Sequence, residues 1–194
     1  YDGIQLELVG DSEEGIVVPM PHTIRVASLQ LTKCRVHLPD INQAVPTTNT
    51  WSVVVKLEFT VNDVRLQKNQ MLDIQPDEEV ASGGVTVQVT TCSFVDHSTL
   101  RITNLPVKKF LATGNFQQHS TITFTNVTAV NSVTIGPELQ LEDYSGVSFN
   151  NCTMGSVEFI NAQLRSFSTI DATQLIVTTG GFSLNNVSAD GCEV

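Results

Sequence analysis

Residues 147–164 read VSFNNCTMGSVEFINAQL, and one eight-residue phrase occurs in them twice: apolar-x-apolar-x-Asn-apolar-x-apolar. Its first copy is Val147, Phe149, Asn151, Cys152 and Met154; its second is Val157, Phe159, Asn161, Ala162 and Leu164. Period-two alternation writes a β-strand with one buried face, and Asn is the non-glycine residue that most readily takes left-handed backbone. The phrase therefore describes strand, sharp corner, strand.

Working outward, the phrase returns at Leu100, Ile102, Asn104, Leu105, Val107 and at Ile122, Phe124, Asn126, Val127, Ala129. Beyond a looser copy carrying Asp171 it returns at Phe182, Leu184, Asn186, Val187, Ala189. Weaker copies lie at Leu29, Leu31, Lys33, Cys34, Val36 and at Val87, Val89, Thr91, Cys92, Phe94. Copies starting at 100, 122 and 147 are 22 and 25 residues apart, and those starting at 157 and 182 are 25 apart. Such spacing fits successive coils of a solenoid, with the copies at 157 and 167 on other faces of the same coils. A sandwich of hairpins would need Asn-Gly or Gly turns every 8–12 residues, and they do not recur that way. The expected fold is all-β, a right-handed parallel β-helix (β-solenoid).

In a parallel solenoid each strand bonds to its equivalent one coil away, about 4.8 Å distant, so equal positions stack into columns. An Asn amide at the corner both donates to and accepts from the Asn of the next coil. A column of them satisfies groups that would each cost about 1–3 kcal/mol if buried unpaired. Asn104, Asn126, Asn151, Asn161 and Asn186 are accordingly expected to form a structural ladder rather than a ligand site.

Two regions are expected: 85–194, carrying the regular repeats, and 1–84, irregular and β-rich. In the latter, alternation at Ile4, Leu6, Leu8, at Ile24, Val26, Leu29, Leu31 and from Trp51 to Leu66 is broken by loop-like stretches. The stretches at 38–50 and 67–84 are long for a compact domain and fit insertions on one face of a solenoid. This N-terminal part reads either as first coils with large loops or as a cap over the open end.

Composition excludes several classes. Val (25) and Thr (22) dominate, which favours strand, while five Lys and five Arg against 20 acidic residues leave a formal charge of −10. Phosphate backbones and anionic lipid would be repelled, so no nucleic-acid partner is expected. The apolar runs are a few residues long, too short for a membrane-spanning helix. No basic start with an apolar run opens the stretch, so a mature or excised piece is expected.

Cys34, Cys92, Cys152 and Cys192 lie far apart without a CxxC pair. Three of them follow a corner position, which points their side chains inward as buried thiols or as disulfides stacked across coils. Asn126-Val127-Thr128, Asn151-Cys152-Thr153 and Asn186-Val187-Ser188 are glycosylation sequons. Because each uses a corner Asn, the repeat itself accounts for them.

The strings ITFTNVTAV, VSFNNCTM, VEFINAQL and FSLNNVSA resemble the coils of the pectate-lyase-like, right-handed β-helix superfamily, which includes tailspikes and surface adhesins. The resemblance covers residues 85–192 and implies an architecture that hosts lyases, hydrolases, adhesins and scaffolds alike. Its polygalacturonase-like members imply Asn-Thr-Asp, Asp-Asp, Gly-His-Gly and Arg-x-Lys patterns, none of which occurs in this chain. Calcium-dependent lyases of the fold imply grouped carboxylates with an Arg, and the repeats offer scattered Glu138, Glu142, Asp143, Glu158, Arg165, Asp171 and Asp190.

From the residues themselves, Glu158 and Arg165 read as an exposed ion pair. His22, His37, His97 and His119 have no metal-ligand spacing, and His97 beside Asp96 reads as a solvated turn. The clusters Asp11-Glu13-Glu14 and Asp77-Glu78-Glu79 lack the ligand alternation of a calcium loop and read as solubilising charges. Phe94, Phe124, Phe149, Phe159 and Phe182 fall on core positions, and Trp51 reads as a contact residue or as packing against the cap. No catalytic group, metal site or cofactor site is expected.

The expected function is a non-enzymatic extracellular or cell-surface module for adhesion, structural assembly or recognition of protein or glycan. Its contacts would come from the long loops and from outward Thr and Asn along one face, with other segments of a longer parent chain or a homo-oligomer as further partners. The alternatives are a polysaccharide-active lyase or glycosidase, and a viral capsid, tail or spike component. For the enzyme, Glu142, Asp143, Glu158 and Arg165 would have to converge.

Overall fold

Alternating β-branched residues make strands throughout the computed structural model, which describes residues 5–9, 16–19, 23–32, 34–37, 49–66, 69–80 and 83–191. Among them are nineteen strands and no helix. In chain order they are β1 (Gln5–Val9), β2 (Ile16–Pro19), β3 (Thr23–Thr32), β4 (Cys34–His37), β5 (Asn49–Asn62), β6 (Arg65–Leu66) and β7 (Gln70–Pro76). Next come β8 (Val85–Phe94), β9 (Thr99–Thr103), β10 (Pro106–Phe116), β11 (Thr121–Thr125), β12 (Thr128–Ile135) and β13 (Gln140–Leu141). The last are β14 (Gly146–Asn150), β15 (Cys152–Ile160), β16 (Gln163–Arg165), β17 (Thr169–Asp171), β18 (Leu175–Asn185) and β19 (Ser188–Asp190).

Every pairing is parallel, and the chain winds as a β-solenoid of about six turns. Three faces run along it. The first stacks the front halves of β3 and β5, then β7, β9, β11, β14 and β17. The second stacks β1, the rear halves of β3 and β5, then β8, β10, β12, β15 and β18. The third stacks β2, β4, β6, the ends of β8 and β10, then β13, β16 and β19. β5 pairs with β8 and β7 with β9, so one ladder runs unbroken across residue 84.

Inward residues line up in columns as the alternation dictates. Trp51, Leu72, Leu100, Ile122 and Val147 form one, and Leu29, Phe59, Val87, Phe110, Val133 and Val157 another, all of them buried. Rings stack where columns place Phe on Phe: Phe94 on Phe116 at 4.5 Å and Phe124 on Phe149 at 5.0 Å. Each stacked pair adds about 0.5–1.5 kcal/mol beyond the area it buries.

The asparagines split between two corners. Asn104, Asn126 and Asn151 turn the chain from the first face to the second with φ of 54°, 53° and 55°. Asn126 donates from Nδ2 to Asn104 Oδ1 at 3.1 Å, and Asn151 to Asn126 Oδ1 at 2.9 Å. Asn161 and Asn186 turn it from the second face to the third, with Asn186 Nδ2 donating to Asn161 Oδ1 at 2.8 Å. The same second corner is made by Thr91, Gly114 and Gly136 in other coils. At Gly136 glycine is required: with φ of 114°, an added Cβ would lie 1.9 Å from the Ile160 carbonyl oxygen.

Candidate functional site: a stacked ring column at the third corner

Between the third face and the first, four coils turn on two consecutive left-handed residues: Asp96-His97, Gln118-His119, Asp143-Tyr144 and Ser166-Phe167. Left-handed backbone costs a non-glycine residue roughly 1–2 kcal/mol. The backbone holds each corner to the next coil, His97 N–H donating to the Gln118 carbonyl at 2.8 Å, His119 to Asp143 at 2.9 Å and Tyr144 to Ser166 at 3.0 Å. A serine then follows in every case, Ser98, Ser120, Ser145 and Ser168, each fully buried. Ser98 and Ser168 close their own turns by donating Oγ–H to the carbonyls of Val95 and Arg165 at 2.7 and 2.6 Å. At these two corners the buried serine anchors the turn, and at all four the ring before it stays outside.

The four rings form a column. His97 stacks on His119 at 4.9 Å, His119 on Tyr144 at 5.1 Å and Tyr144 on Phe167 at 5.1 Å, with planes inclined by 19°, 11° and 14°. All four are exposed, Tyr144 at 57% and Phe167 at 61%. Stacked this way, the rings cover one another's faces and turn their edges to water. Stacking energy of about 0.5–1.5 kcal/mol per pair is comparable with the cost of one left-handed residue, not two. Strain kept at a surface corner and crowned by exposed rings points to a site.

Polar rows flank this ridge. On the third face Gln117 donates from Nε2 to Glu142 Oε2 at 2.9 Å, and the Arg165 guanidinium donates to Glu142 Oε1 at 3.3 Å. On the first face stand hydroxyls: Thr99 and Thr121 lie 3.3 Å apart, and Ser148 Oγ donates to Thr123 Oγ1 at 3.4 Å. Further along, the buried Asp73 carboxylate receives Arg101 at 2.7 Å, Gln75 at 2.6 Å and Thr103 at 3.2 Å. That carboxylate raises the pKa of the Arg101 guanidinium, keeping it charged.

Several residues stand elsewhere than their sequence suggested. Arg165 pairs with Glu142 and not with Glu158, which lies on the second face and accepts from Asn185. Glu142, Asp143, Glu158 and Arg165 thus do not converge. Trp51 is buried in the core, which corrects its reading as a contact residue: an indole on an inward column of β5 offers nothing to a surface ligand. Phe182, placed on a core column, is 39% exposed, since among the described residues β18 pairs only with β15. Asp77 and Glu79 are not mere solubilising charges: buried Asp77 meets Arg25 at 3.2 Å and accepts from the Glu79 N–H, and Glu79 meets Lys56 at 3.0 Å. Asp11, Glu13, Glu14, His22 and the loop at 38–48 lie outside the described residues, as does Cys192.

Cys92 and Cys152 are buried free thiols on different corners, and Cys34 lies in β4. Burial pushes the Cys92 thiol up to about 12 and raises that of Cys152 too, so both are poor nucleophiles at neutral pH. The sequon residues Asn126, Asn151 and Asn186 all use Nδ2 as the ladder donor, the atom to which a glycan would be attached. Among the described residues no group of three His, Cys, Asp or Glu side chains is placed to hold a metal ion, and no helix is long and apolar enough to cross a membrane.

Sequence reasoning missed the ridge. The signal was present as an aromatic or imidazole side chain recurring at 97, 119, 144 and 167, steps of 22, 25 and 23 residues, which are the steps of the coil. Comparison with known proteins adds no kinship: no family model, curated protein or solved structure matches the chain.

Proposed function

We propose that this protein is a non-enzymatic β-solenoid module, extracellular or at a cell surface, that recognises protein or glycan through the ring column His97, His119, Tyr144 and Phe167 and the polar rows beside it. The observation that carries this reading is the exposed, backbone-strained column itself, kept in register through four coils. Aromatic edges, imidazole nitrogens and a tyrosine hydroxyl alternate with amide, carboxylate and hydroxyl side chains, a mixture suited to polar ligands with apolar patches. A right-handed winding and kinship with pectate-lyase-like adhesins belong to the same proposal, supported by the corner asparagines. Acidic, Lys-poor composition supports a place outside the cell.

The test is a panel of glycans, matrix proteins and whole cells probed with the labelled protein and with a Tyr144→Ala/Phe167→Ser double variant. Retention by at least one ligand class, lost in the folded double variant, is the expected result. Release of reducing ends or unsaturated products from a polysaccharide, abolished by Glu142→Gln, would replace this reading with an enzyme.

A further inference from the structure

The first two rings of the column differ in kind from the last two, because an imidazole carries a nitrogen lone pair and the Tyr144 and Phe167 rings do not. His97 and His119 hold the same position in adjacent coils, each at φ of 63° and each followed by a buried serine. Their backbone N–H groups are fixed to the Gln118 and Asp143 carbonyls, and their rings stack at 4.9 Å with planes 19° apart. Both rings are exposed. Asp96 Oδ1 stands 3.4 Å from His97 Nδ1. A proton on Nδ1 facing that carboxylate leaves the Nε2 lone pair free, the arrangement in which histidine commonly ligates a metal. The four corner pairs include Asp96 and Asp143 and no Lys or Arg, on a chain of formal charge −10, so a cation is attracted.

We propose that His97 and His119 form a surface chelate for a divalent transition ion of the zinc, nickel and copper class, bound through one imidazole nitrogen from each coil. Imidazole suits these ions, whereas calcium and magnesium take oxygen ligands. Zinc–nitrogen bonds of about 2.0–2.1 Å in a tetrahedral site bring two donor nitrogens to roughly 3.4 Å from each other. The ring centres stand 4.9 Å apart, and side-chain rotation at two exposed residues closes the difference while the backbone stays in place. One imidazole alone holds such an ion weakly; the second, kept one coil away by the ladder, supplies the gain of a chelate. Among the described residues no third His, Cys, Asp or Glu side chain completes the set, so water takes the remaining positions. Asp96 is a positioning residue that acts through His97. The site needs neither Tyr144 nor Phe167, and it stands whether or not the ridge also retains protein or glycan.

The experiment titrates zinc chloride into the protein and follows it by calorimetry and by the imidazole nitrogen resonances. One ion per chain is expected, with His97 and His119 nitrogens shifting together. His97→Asn and His119→Asn, Asn being the side chain that best tolerates left-handed backbone, should each weaken binding about a hundredfold while circular dichroism stays that of the parent. Asp96→Asn, which keeps the shape of the turn, should weaken it about tenfold. The Tyr144→Ala/Phe167→Ser variant should bind zinc as the parent does, so that loss of ligand retention and loss of the ion are separable. Zinc binding that survives both histidine variants, nitrogen shifts at one histidine alone, or no binding at millimolar zinc would each overturn the proposal.

Discussion

The asparagine corners and the ring corner solve one geometrical problem in different ways. At the first corner a single left-handed residue suffices, and the amides of Asn104, Asn126 and Asn151 bond one to the next. At the third corner two left-handed residues are needed, and the rings gain only their mutual stacking while their edges stay in water. The first arrangement is closed on itself and leaves little for a ligand. The second keeps strain and exposed chemistry together, which is why the ridge and not the ladder is the candidate site.

The comparison breaks most severely at the second corner, where backbone approach is closest. Gly136→Ala places a Cβ on the Ile160 carbonyl, and we expect a loss of about 3 kcal/mol or more, or failure to fold, measured by urea denaturation. Next comes pH. Because burial raises the Cys92 pKa from 9.0 to about 12, its contribution to stability is complete below pH 9 and is lost as pH rises toward 12, the unfolded thiol ionising first. Stability measured across that range should decline less steeply in Cys92→Ala than in the parent chain.

Within the ladder, Asn126→Ala removes two side-chain hydrogen bonds and puts a Cβ without a polar group into left-handed backbone, for an expected cost of about 1–2 kcal/mol. Asn126→Gly relieves the backbone term, so the difference between the two variants isolates it. Asn186→Ala, with one ladder bond to lose, should cost less than Asn126→Ala. At the ridge the readout differs: Tyr144→Ala gives up two ring stackings, about 1–3 kcal/mol at the per-pair figure, and should remove ligand retention in the folded variant. A folded Tyr144→Ala variant that loses stability but keeps ligand retention would make the ridge a structural ladder like the others.

Much of the architecture was legible because period-two alternation and corner asparagines are local signals. Leu100, Ile102, Asn104 and their later copies name the strand, its buried face and the corner without reference to any other part of the chain. The ridge was not legible residue by residue. His97 beside Asp96 looks like any polar turn, and Tyr144 and Phe167 look like strays, because stacking unites residues 22–25 positions apart that share no local pattern. The ion pairing of Arg165 failed for the same reason: Glu158 and Arg165 share one copy of the phrase but lie on different faces, and the neighbour of Arg165 one coil away is Glu142.

By itself the sequence determined that the chain is all strand, that alternate residues face inward and that asparagines bend it, since these follow from side-chain period and backbone preference. Only the tertiary structure decided which residues stand one above another. Stacking depends on the exact length of every coil, and the ring column and the Glu142 pairing both come from that register.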